Sequence, residues 1–146
     1  MAQVQYVIDS IRVGVACPDE LTLILKQKEC TNTYLPAWIS QHEGQTLANV
    51  LHGRPDSEKE LDTFLADNHA TDSDIGCATI YLEHNSFFAK VLLSQHHKPY
   101  EVRCPIGLAL ALAVRANVPI LADETLFDRA GVRLSATSCE PHRQPS

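Results

Sequence analysis

A chain of 146 residues, 45% hydrophobic and 21% charged, has the balance of one ordinary globular domain and can bury a core without staples. Its formal charge of -6 opposes non-specific nucleic-acid binding at long range, so any such contact needs a local basic patch or a metal ion. Five cysteines without a C-x-x-C pair predict free thiols in a reducing cytoplasm, not a disulfide framework or a structural zinc site. No N-terminal segment pairs a basic region with an apolar run, so no signal peptide is expected.

Residues 3–15 are rich in β-branched side chains and partly alternate, which predicts a strand. Pro18 and Asp19 make a turn. Residues 20–28 then alternate, with Leu21, Leu23 and Leu25 on one face, so the two strands form a hairpin or meander. Residues 33–39 supply a third strand, in which Pro36 cannot donate to a ladder and implies an edge position or a bulge. Ser40-x-x-Glu43 is a capping box opening a helix with Leu47, Val50 and Leu51 at helical spacing and Gly53 at its end. Ser57-x-x-Glu60 repeats that pattern ahead of Leu61, Phe64 and Leu65. Residues 69–74 are polar and read as a loop.

Residues 75–95 predict a hairpin turning at His84, Asn85 and Ser86, after which Phe87, Ala89, Val91 and Leu93 share a face. A turn at His97, Lys98 and Pro99 leads into an alternating strand containing Tyr100 and Val102. Residues 106–114 carry no charged or hydrogen-bonding side chain, and a helix apolar all round belongs inside a protein. The run is too short for a bilayer, which takes about 20 apolar residues. A short strand at residues 119–121 and a helix from Asp123 to Gly131 follow, and residues 135–146 are expected to be a disordered tail. The expected fold is α+β: a mixed β-sheet of about six to seven strands, a buried helix after the sixth, and two or three peripheral helices. These form a single domain over residues 1–134.

Few residues stand out for chemistry. No P-loop, dinucleotide-binding glycine pattern, nucleophile elbow or H-x-x-x-H spacing occurs. Arg103 precedes the buried helix, whose N-terminus favours anions, and Gly107 lets a ligand approach the backbone; the alternative is an ion pair with Glu101 or another carboxylate. Cys104 stands at the same helix start, where a thiolate is favoured and His96 or His97 is close in sequence. A buried, inert thiol is the competing reading. Adjacent His96 and His97 read as a solvated turn, because neighbours on a strand face opposite ways and do not ligate one metal.

The segment YLPAWISQHEG, Tyr34 to Gly44, resembles the bifunctional nuclease (DNase/RNase) domain family, with its Leu-Pro-x-Trp-Ile strand and a glutamate in the first turn of the next helix. Arg54-Pro55, the hairpin around NSFFAKVLL and the segment LALAVRANVPI fit the family in the same order, so the resemblance runs from about Val4 to Leu134. It implies metal-assisted phosphodiester hydrolysis with a divalent cation such as Mg²⁺, a nucleic-acid substrate, and Glu43 and Arg54 as catalytic residues. Arg103 and Gly107 are candidate ligand-binding residues outside the matched motif. A cytoplasmic homodimer without membrane association is expected, because β-rich chains offer edges that need covering. Two runs depart from the family pattern. Arg103-Cys104-Pro105-Ile106-Gly107-Leu108 stands where the family has Asp-x-Arg-Pro-Ser-Asp, and Ser57-Glu58-Lys59 where it has Thr-His-Asp. Hydrolysis needs a metal or base and positive charge at the phosphorus, and the polar groups best suited to those jobs are the ones replaced. The same resemblance therefore also admits a catalytically degenerate binding or assembly module.

Overall fold

A computed structural model describes residues 3–13, 20–28, 30–84, 86–123, 125–126 and 132–133. The predicted turn at Pro18 and Asp19, the body of the helix after Asp123 and the predicted tail lie outside these residues. In chain order the elements are β1 (Gln3–Val13), β2 (Glu20–Gln27), β3 (Cys30–Ser40), α1 (Gln41–Leu51), α2 (Glu58–Asp67), β4 (Ile75–Glu83), β5 (Ser86–Gln95), β6 (Lys98–Cys104), α3 (Ile106–Ala116), β7 (Ile120–Asp123) and β8 (Val132–Arg133). Short 3₁₀ turns at Pro55–Ser57 and Asp72–Asp74 precede α2 and β4.

All described strands join one eight-stranded sheet in the order β6-β5-β4-β7-β1-β2-β3-β8. β1, β2 and β3 form an antiparallel meander, and β4, β5 and β6 form another. The short strand β7 lies between them, antiparallel to β1 and parallel to β4, which makes the sheet mixed. The α+β class and the buried helix after the sixth strand are as expected, with a two-residue eighth strand that sequence patterning did not reveal. Among the described residues that strand pairs only with Thr33 and Tyr34. Pro36 therefore sits where β3 has no further strand neighbour among the described residues, the edge position that its missing N–H requires.

Alternation decides the two faces. Leu23, Leu25, Leu35 and Ala37, with Ala89, Val91 and Leu93 on the other meander, are buried at 1% exposure or less. The helices pack against this face, α1 over β2 and β3 and α3 over β4 and β5. Residues 109–113 of α3 have no exposed surface, so this helix is the centre of the core. The opposite face carries Trp38, 77% exposed, and the mixed row Tyr81, Phe88, Lys90 and Arg103.

Two local readings need correction. Ser57 precedes α2 without capping it: the 3₁₀ turn already lets the Glu58 N–H donate to Pro55 O, and the Ser57 hydroxyl accepts from Asn49 Nδ2 at 2.9 Å. Glu60 turns instead to His42 and Thr46 on α1. The second β-hairpin turn is His96 and His97, not His97 to Pro99, and Lys98 and Pro99 already belong to β6. Both histidines adopt positive φ, 52° and 65°, as a two-residue turn matching strand twist demands.

Candidate functional site

Glu43 is the residue on which the site turns. The Ser40 hydroxyl accepts from the Glu43 N–H at 3.1 Å, and Glu43 Oε2 accepts from the Ser40 N–H at 3.2 Å. The capping box expected from the sequence is therefore present. The second oxygen, Oε1, accepts from the backbone N–H of Gly107 at 2.8 Å. Helix α3 begins after Pro105, which has no side-chain acceptor to offer its first N–H groups. A carboxylate from α1 does that work, and its charge meets the positive end of the α3 dipole. One side chain thus closes the N-termini of two helices.

The contact requires glycine at 107. A Cβ there would overlap the Glu43 Cβ and lie 3.1 Å from its Cα, both parts of a helix and not the end of a flexible side chain. Gly107 is buried, and α1 and α3 make the most extensive helix–helix contact among the described residues. A serine at this position would have no room here.

The neighbouring thiol is inert by the same geometry. Cys104 is 5% exposed, and burial, reinforced by the Glu43 carboxylate, pushes its pKa up to about 12. It is a protonated thiol at neutral pH, not a nucleophile. His96 and His97 are exposed at the opposite end of β6, roughly 20 Å away along a strand rising about 3.3 Å per residue.

The two arginines lie elsewhere. Arg54 is exposed after α1, its N–H donating to Asn49 O at 2.8 Å, and it forms no salt bridge with a described residue. Roughly 12 Å of helix axis separates Glu43 from the last turn of α1, at 1.5 Å per residue, and Arg54 lies beyond that. Arg103 points to the sheet face away from the helices. Its guanidinium carbon stacks 3.7 Å from the Phe88 ring centroid, and Nη1 reaches Glu83 Oε1 at 3.4 Å. Glu43 and Gly107 are brought together; Arg54 and Arg103 join neither them nor each other. None of the three charged candidates lines the cleft of about 390 Å³ between Trp38 and Phe87 or that of about 550 Å³ beside α1.

Two polar clusters escaped the sequence reading. Glu60 accepts from Thr46 Oγ1 at 3.2 Å and lies 2.8 Å from His42 Nε2, tying α2 to α1 beside the buried Asn49–Ser57 bond. Arg115, 18% exposed, reaches Asp72 at 2.7 Å and Asp62 at 2.9 Å, clamping the end of α3 to α2 and the second 3₁₀ turn. Burial opposes its charge, but the hydrogen bond and charge of Asp72, with those of Asp62, outweigh it and raise its pKa. The available signal was a lone arginine on an otherwise apolar helix.

A divalent cation of the kind hydrolysis needs asks for converging carboxylates. Both Glu43 oxygens face N–H donors, and no three His, Cys, Asp or Glu side chains converge among the described residues. The donor set does not fit such an ion. Among the described residues no helix is long and apolar enough to cross a membrane. Compared with known families, residues 23–135 match the bifunctional nuclease domain. No curated protein matches the chain.

Proposed function

The chain belongs to the bifunctional nuclease domain family, and from that premise we propose that this member is a binding or assembly module that does not hydrolyse nucleic acid. The observation that carries the reading is the Glu43 carboxylate. It is held between the Ser40 and Gly107 N–H groups, with glycine in place of the family's serine. Its oxygens accept from backbone donors, and Arg54 beyond the end of α1 and Arg103 on the other face of the sheet do not complete a phosphodiester site with it. The nuclease-type domain suggests nucleic acid as the bound partner, and the reduced thiols of Cys77 and Cys104 suit a cytoplasmic protein. The protein acts as a homodimer.

A second reading keeps hydrolysis, with Glu43 as metal ligand or base and Arg54 as a phosphate contact. What favours it, beyond the family, is that Arg54 is exposed and unpaired among the described residues. Purified protein incubated with single-stranded DNA or RNA and Mg²⁺ or Mn²⁺ separates the two. The module reading predicts intact nucleic acid over a range of pH. Divalent-dependent cleavage that disappears in Glu43→Ala would overturn it in favour of the second.

A further inference from the structure

The outer edge of the sheet points to the partner. We propose that a second copy of this chain pairs antiparallel with β6 about a twofold axis through Val102, joining two sheets into one. This deepens the homodimer of the functional reading by assigning its interface.

Among the described residues β6 has a strand neighbour, β5, on one side only. Residues 100–104 are bracketed by Pro99 and Pro105, neither of which carries an N–H, so the pairing segment is five residues long. On the face away from the helices, Arg103 is directly opposite Lys90 of β5, and like charges opposed across a ladder are destabilising. The Glu83 contact at 3.4 Å offsets this only in part, since its side chains are 61% and 52% exposed. Glu101 is opposite Leu92 and has no ion pair among the described residues. Centring the pairing on Val102 sets each Glu101 against the partner's Arg103, twice by symmetry. It also sets Val102 against its own copy and Tyr100 against Cys104, extending the apolar face, where Tyr100 and Val102 are only partly buried. The adjacent registers that keep the faces matched set Glu101 against Glu101 or Arg103 against Arg103. Charge and pleat therefore select one register.

Light scattering over a concentration series tests the pairing, with a dimer giving twice the 16.2 kDa chain mass. Glu101→Arg and Arg103→Glu, each alone, set like charges opposite and raise the dissociation constant by roughly tenfold or more. The combined variant restores opposite charges and returns the constant towards that of the parent. Thermal melts check that the variants fold, and Glu101→Gln with Arg103→Gln replace any that do not, with a smaller weakening expected. A monomer at every concentration overturns the proposal, as does a dimer that neither reversal weakens or that the double variant fails to rescue. A dimer that cleaves nucleic acid would overturn the non-hydrolytic reading and leave this interface standing; a monomer that does not cleave would do the reverse.

Discussion

Gly107 and Glu43 constrain each other: the first has no side chain so that the second can close a helix. The sequence held half of this. The capping box at Ser40 was legible as a local pattern, because both partners lie three residues apart. The bond from Glu43 to Gly107 spans 64 positions, and no local spacing encodes it. Cys104 lies beside this junction and carries its own consequence. With its folded pKa raised to about 12, the thiol stabilises the fold fully below the unfolded value of 9.0, and that contribution is lost as pH rises from there towards 12. Wild type should therefore lose unfolding free energy across that window more steeply than Cys104→Ala, measured by urea titration at successive pH values. Parallel slopes would mean that the thiol is not shielded from water.

At the scale of elements, α3 is held at both ends by charge and along its middle by packing. Its apolar run announced burial directly, and its position after the sixth strand followed from the two alternating hairpins before it. Its partners did not follow. Arg115, the basic residue of the last turn of α3, bridges Asp62 and Asp72 from two other elements. Because the arginine is 18% exposed but its partners Asp62 and Asp72 are exposed, Arg115→Ala should cost about 1 kcal/mol, read from chemical unfolding. An unchanged midpoint would make it a surface pair of no consequence. The failed capping box at Ser57 teaches the complementary lesson. The motif was present, but a preceding 3₁₀ turn met the backbone donor's need, which freed both side chains for tertiary bonds. A sequence motif states what a side chain can do, and the neighbouring backbone decides whether it does so.

For the whole molecule, a mixed sheet with a buried helix after the sixth strand was readable from strand alternation and helix periodicity. The insertion of β7 between two meanders was not, since a four-residue strand that pairs antiparallel on one side and parallel on the other leaves no periodic signature. The candidate site was legible as residue types and illegible as a place: Glu43, Arg54 and Arg103 emerge on separate parts of the fold. The family likeness rests on the framework, and the chemistry depends on a carboxylate that the framework itself uses. Catalytic groups commonly sit at a cost to stability, so their removal leaves a fold as stable as before or more so. A carboxylate that closes two helices does the opposite. The unfolding free energy of Glu43→Ala at neutral pH distinguishes these directly. The clasp predicts a loss of about 2 kcal/mol, from one capping bond and one charge-assisted bond at a helix N-terminus. A variant as stable as wild type, or more stable, would contradict it and leave Glu43 free for chemistry.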